Sequence, residues 1–177
     1  MRRDRGHGLS FWLSCTFSVL ALLGGGSAAV AESPRDEAVE RVFSDWSVTC
    51  EGAPRLCTLA LTVAADDDRS WLGTSWLRPA VPGGATIIAQ VPPGVHLASG
   101  FFAEVAGGYT ELDYQKCSSR GCFARAELSE ERLRGWKKAV KAEMRYRPSV
   151  TSPPVAFDIS LMGITAALDF AGRNGQE

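Results

Sequence analysis

Residues 100–114 read GFFAEVAGGYTELDY. Apolar and polar side chains alternate on both sides of Ala106-Gly107-Gly108, the period-two pattern of a strand with one buried face. Glycine at the centre supplies the positive φ that a tight hairpin turn needs. The stretch therefore predicts two antiparallel strands, from Gly100 to Val105 and from Tyr109 to Tyr114.

The same punctuation continues outward in both directions. Upstream, short runs from Asp45 to Glu51, Leu56 to Val63, Trp71 to Arg78 and Thr86 to Val91 are split by Gly, Pro and Asp clusters. Downstream, Cys122 to Leu128, Ala142 to Arg147 and Val155 to Leu161 read as further strands. One helix interrupts them. Ser129 is an N-cap followed by Glu130 and Glu131, Leu133, Trp136 and Val140 fall on one face, and the last turn is basic. Gly135 in its middle disfavours the helix by about 1 kcal/mol relative to Ala and predicts a short one. From Gly163 to Phe170 at most a last helical turn or two is expected, with a frayed tail over 172–177. Many short strands, frequent turns and one short helix predict an all-β, antiparallel β-sandwich.

The N-terminus carries a separate message. Arg2, Arg3 and Arg5 precede an apolar run of 15 residues, Leu9 to Leu23, and Ala29-Val30-Ala31 offers the small-x-small pattern of a signal-peptidase site. A membrane-spanning helix needs about 20 apolar residues, so residues 1–31 read as a cleaved signal peptide. Residues 32–42 follow as a polar lead-in, and 43–171 form the domain. Removing Arg2, Arg3, Arg5 and Asp4 leaves 16 basic and 19 acidic residues, a net of −3. That balance argues against nucleic acid, whose phosphates demand a positive excess.

Four cysteines remain after the leader: Cys50, Cys57, Cys117 and Cys122. An even number in an exported chain implies disulfides, although four cysteines allow three connectivities. Local pairing is the economical choice, each small loop contributing roughly 2 to 2.5 kcal/mol by chain entropy. Zinc is the competing reading, but the paired ligands of such sites are usually about two to four residues apart. Here the intervening counts are six and four. Neither pair is C-x-x-C, so a thioredoxin-type redox site is not supported.

These residues also carry a family resemblance. Asp45-Trp46-Ser47-Val48-Thr49-Cys50, then Cys57, Val91-Pro92-Pro93-Gly94-Val95, Gly100, Cys117 with Gly121-Cys122, and Ser160-Leu161-Met162-Gly163-Ile164-Thr165-Ala166-Ala167-Leu168 resemble the invasion-associated locus B family. The resemblance runs from about Phe43 to Phe170; the Asp66-Asp67-Asp68 loop and the tail have no counterpart in it. It implies an exported Gram-negative protein with an immunoglobulin-like β-sandwich and paired cysteines. Some members are linked to bacterial entry into host cells, and the family offers no catalytic residues to carry over.

Catalysis has little to rest on. After the leader the only histidine is His96, and no G-x-S-x-G, H-E-x-x-H or P-loop pattern occurs. Glu104, Glu111 and Asp113 could line one face of the hairpin, more often the solvated side of such a sheet. Asp66-Asp67-Asp68 lacks the spacing of a calcium loop. No catalytic residue, metal ligand or cofactor is therefore expected. Trp71 and Trp76 are five apart and should face opposite sides, one in the core and one exposed for contact with protein or glycan. From Arg132 to Arg147 there are seven basic residues and one acid, so Arg132, Arg134, Lys137, Lys138 and Lys141 form a candidate partner surface. The expected function is a periplasmic or secreted binding module for a protein or glycan of the envelope or of a host cell, without a membrane span after cleavage. An envelope chaperone or assembly factor, or an undetected hydrolase, are the alternatives.

Overall fold

The fold is described by a computed structural model covering residues 38–64, 71–80 and 83–175. The expected leader with its site at Ala31, most of the lead-in, the Asp66-Asp67-Asp68 loop and residues 176–177 lie outside the described residues.

Ten strands follow one another: β1 Val39–Phe43, β2 Trp46–Glu51, β3 Leu56–Ala64, β4 Trp71–Ala80, β5 Gly84–Val91, β6 Phe101–Val105, β7 Gly108–Ser118, β8 Gly121–Leu128, β9 Lys141–Tyr146 and β10 Val155–Ser160. They hydrogen-bond in the order β1-β2-β3-β4-β5-β8-β7-β6-β9-β10, every neighbouring pair antiparallel. Alternation sets the two faces. Along β5, Ala85, Ile87, Ala89 and Val91 are buried, while Thr86, Ile88 and Gln90 between them face outward and are half-buried. Each fully buried Leu or Ile of this kind contributes about 1.5–3 kcal/mol.

The sheet curls because β7 serves two neighbours. Its first half, Gly108 to Leu112, pairs with β6, and its second half, Asp113 to Ser118, pairs with β8. The register slips at Gln115, between Tyr114 and Lys116, a bulge of the kind that bends a strand and sharpens its twist. Curling brings the two ends of the strand order together. The Phe157 ring of β10 lies so close over β4 that a Cβ at Gly73 would come within 2.8 Å of it. Trp46 of β2 donates its indole N–H to the Ser160 carbonyl at the end of β10, 3.0 Å away.

The all-β, antiparallel expectation stands, and the hairpin that led to it forms at the expected turn. Val105 pairs with Gly108, and Ala106 and Gly107 both take positive φ (51° and 80°), a two-residue turn whose twist suits the strands. Three details are corrected. Among the described residues there are two α-helices where one was expected: α1 Glu130–Lys138 and α2 Ile164–Asn174. Ile164, Ala167, Leu168 and Ala171 bury the i, i+3, i+4, i+7 face of α2, which packs on β1 to β4, so the helix runs on to Asn174 where fraying was expected. The lead-in ends earlier than expected, since Val39–Phe43 is already a strand, paired residue for residue with β2. Val140 is also not on the helical face. Ala139 turns extended and ends α1, leaving Val140 exposed.

Ser129 caps α1 by accepting from the Arg132 amide, as its sequence predicts. A Cβ built at Gly135 meets nothing within 4 Å. Gly135→Ala should therefore stabilise the protein by about 1 kcal/mol through helix propensity alone. Urea denaturation checks this, with a raised midpoint and an unchanged slope expected.

Candidate binding surface

Because inward positions alternate with outward ones, the outer face of β4, β5 and β8 is determined by the same residues that build the core. It carries Trp76 and Arg78 from β4, Ile88 and Gln90 from β5, and Phe123 and Arg125 from β8. Register places Trp76 beside Ile88 and Ile88 beside Arg125, with Gln90 beside Phe123 and Phe123 beside Lys116 of β7. The Trp76 and Phe123 rings lie 6.3 Å apart and only 19° from parallel. The Lys116 ammonium sits 5.2 Å from the Phe123 ring centre, within cation–π reach. All of these side chains except Gln90, joined by Gln115, line a shallow hollow of about 350 Å³.

The charges around the hollow are unequally matched. Arg125 pairs with Glu127, whose carboxyl is held below its usual range first by the Thr86 hydroxyl and then by Arg125. Arg78 donates to the Thr58 hydroxyl at 3.0 Å. Among the described residues, neither Arg78 nor Lys116 has a carboxylate partner. The result is an apolar strip with uncompensated positive charge at two corners.

The hairpin that carries Lys116 is fastened beside this strip. Cys117 and Cys122 face each other across β7 and β8 and are bonded at 2.07 Å; Cys50 and Cys57 are bonded in the same way across β2 and β3 at 2.01 Å. The pairing is the local one. Gln90 adds a hydrogen bond from its side chain to the Arg120 carbonyl at the hairpin tip, 2.8 Å long.

The basic residues singled out from the sequence are placed differently. Arg132 reaches from α1 to β7, donating to the Tyr109 carbonyl and, at 2.9 Å, to the Thr110 hydroxyl. Arg134 pairs with Glu130 one turn earlier at 3.1 Å, and Lys137 bridges to Asp169 of α2 at 3.6 Å. Lys141 pairs with Asp158 across β9 and β10 at 2.7 Å, which raises the Lys141 pKa through that hydrogen bond. Lys138 is exposed, with no ion-pair partner among the described residues. The five fall within ten residues of sequence, and four of them serve separate contacts in the fold.

Neither tryptophan at Trp71 or Trp76 enters the core, contrary to the expectation that one would. Trp71 opens β4 half-buried and donates to the Thr74 hydroxyl at 3.1 Å, while Gly73 occupies the inward position beneath Phe157. Glu104, Glu111 and Asp113 point outward from β6 and β7. Arg145 lies 3.8 Å from Glu104 and also pairs with Glu143. His96 holds the Ser99 hydroxyl at 2.8 Å in the loop ahead of β6. Among the described residues no group of three or more His, Cys, Asp or Glu side chains could hold a metal ion.

Among the described residues one buried side-chain polar atom has no hydrogen-bond partner, the hydroxyl of Tyr114, whose ring sits beside the bulge and stacks 6.1 Å from Phe101. Burial, and secondarily Tyr146, push its pKa up to about 12. Below pH 10 both folded and unfolded chains keep the proton. Above it the unfolded chain ionises first, so stability falls as pH rises from 10 towards 12. Tyr114→Phe should remove the late-titrating phenol from a tyrosinate absorbance titration, flatten that alkaline loss, and stabilise the neutral protein by about 1 kcal/mol.

Known proteins resemble the chain as a whole. The model of the family described as "Invasion associated locus B (IalB) protein" matches residues 46–171. An invasion protein B homolog of Brucella abortus (strain 2308) is 27% identical over 176 residues, 96% of each chain, and a homolog from B. abortus biovar 1 (strain 9-941) matches equally. The crystal structure of invasion associated protein B from Bartonella henselae superposes with a TM-score of 0.71 at 16% identity. That match covers 78% of this chain and 99% of the other, which establishes a shared fold.

Proposed function

The chain belongs to the invasion associated locus B family, and from that premise we propose that it is an exported, non-catalytic binding module working in the periplasm or outside the cell. Two disulfides fit an oxidising compartment. Among the described residues no helix is long and apolar enough to cross a membrane. The leader expected over residues 1–31 supplies the route. Relatives carrying the name invasion protein B homolog extend the proposal to contact with a host cell.

One observation carries the reading. Trp76 and Phe123 lie half-buried on an open sheet face beside Arg78 and Lys116, two cations without carboxylate partners among the described residues. Aromatic anchors with flanking charge are what a recognition surface needs. Two charge-reversed variants compare the candidate surfaces: Arg78→Glu with Lys116→Glu on the sheet face, and Arg134→Glu with Lys137→Glu and Lys138→Glu on α1. Both should fold, since the altered groups are exposed or nearly so. The first is expected to lose retention of the exported protein on envelope or host-cell surfaces, and the second to keep it. Retention by the first and loss by the second would overturn the choice of surface.

A second reading rests on the sheet ends. Among the described residues β1 and β10 each have one neighbouring strand, and an envelope assembly factor would use such an edge by strand addition. Disruption of retention by Val42→Pro on β1, with the sheet-face variant unaffected, would favour it.

A further inference from the structure

We propose that the Trp76–Phe123 face binds an acidic saccharide, a short chain of carboxylate-bearing sugar rings; this rests on the reading of that face as the working surface. The argument starts from size. The hollow of about 350 Å³ lies near the lower end of small-ligand sites. Its apolar part is three side chains, Trp76, Ile88 and Phe123, whereas a stable protein interface buries roughly 800 Å² on each partner around an apolar centre.

The backbone here is also closed to a peptide. β4, β5 and β8 are each paired on both sides, so no unpaired amide or carbonyl row is available for strand addition. What the face does offer is two rings only 19° from parallel. The C–H face of a sugar ring stacks on such a surface without needing backbone partners.

The charges choose an acidic sugar. Arg78 stands on β4 and Lys116 on β7, with β5 and β8 between them. Lys116 lies in the row of Thr74, four residues along β4 from Arg78, so with three steps of about 4.8 Å across the sheet and about 3.3 Å per residue along it their backbones are roughly 19 Å apart. Single cations spaced along an apolar strip match single negative charges spaced along a chain. A phosphate cluster would instead want several donors converging on one point. Gln115, beside Lys116, lines the same hollow; its amide nitrogen donates to the Asp113 carbonyl, which leaves its amide oxygen to accept from a sugar hydroxyl. The protein as a whole is slightly acidic, with a formal net charge of −1, so the selection for an anion is local to this face.

The test uses the exported protein with both disulfides intact. A hexuronic acid oligosaccharide is titrated beside its carboxyl-reduced, neutral counterpart, and binding is followed by calorimetry and tryptophan fluorescence. Binding of the acid form, weakening with added salt and at least about tenfold tighter than the neutral form, is expected. Trp76→Ala should abolish it. Arg78→Ala with Lys116→Ala, at exposed or unpaired positions, should weaken it by about tenfold with unchanged thermal melting. Absence of binding, equal binding of the neutral oligosaccharide, or full affinity in the double alanine variant overturns the inference. So does tighter binding of a glutamate-rich peptide, a phosphorylated saccharide or a single-stranded oligonucleotide. If the hexuronate fails while the charge-reversed face still loses retention on cells, the saccharide is wrong and the working surface stands. If both fail, the surface itself is wrong.

Discussion

Gly163→Ala is expected to destabilise the protein by about 3–5 kcal/mol, although only one methyl group is added. Gly163 precedes α2 with φ +86°, a left-handed conformation that disfavours any Cβ by about 1–2 kcal/mol. The larger part is a collision. A Cβ there would lie 2.1 Å from the Phe43 carbonyl oxygen and 2.7 Å from its carbon. Both obstacles are backbone, so no side chain can rotate away, and relief must come from parting α2 from the β1–β2 turn. The Phe43–Phe170 ring contact at 5.5 Å would go with it. Gly135→Ala is the matched control, because the same chemical change there meets open space and should stabilise. Urea titration of both variants gives the two signs in one experiment. A loss below about 1 kcal/mol at Gly163 would mean that the turn and the helix do not stay in contact.

Trp46→Ala is expected to cost about 4 kcal/mol, the second large effect. Trp46 is fully buried, and its indole N–H bonds the Ser160 carbonyl, tying the second strand of the sheet order to the last. Truncation leaves a cavity and an unsatisfied carbonyl at the point where the curled sheet closes on itself. Trp46→Phe keeps most of the burial and should lose about 1–2 kcal/mol, the share of the hydrogen bond. Equal losses in the two variants would show that the indole N–H, not the packing, holds that closure.

Much of this architecture is legible in the sequence, and for a physical reason. Period-two alternation around Ala106-Gly107 and along Leu59, Leu61 and Ile87 is imposed by burial of one face, so strands and their inward residues follow directly. The second helix was legible only as a turn or two over Gly163 to Phe170, because that stretch is short and has no side-chain N-cap. Its helical face only becomes meaningful against β1 to β4. The candidate surface escaped for a longer-range reason. Trp76 and Arg78 are two apart and share a face by alternation, as do Phe123 and Arg125. That the two pairs meet depends on β5 pairing with β8 across the whole β6–β7 excursion. The basic run from Arg132 to Lys141 is close in sequence, and the fold distributes four of its charges among partners on α1, α2, β7 and β10.

The hairpin disulfide borders the candidate surface. Cys117 and Cys122 are the next residues after Lys116 and before Phe123, so the bond holds the cation against the ring. A small loop of this kind contributes modestly to stability, but it keeps the rim of the hollow in register while the bulge at Gln115 bends the strand beneath it.

The most direct test of the sheet face as the working surface is a pair of photo-crosslinking probes placed in the exported protein, one at Lys116 and one at Lys138. Both positions are exposed, and they sit on different elements, β7 and α1. The account predicts that the probe at Lys116 captures the same discrete envelope or host-cell component in repeated experiments, and that Trp76→Ala abolishes the capture. Capture from Lys138 alone, undiminished by Trp76→Ala, would contradict it.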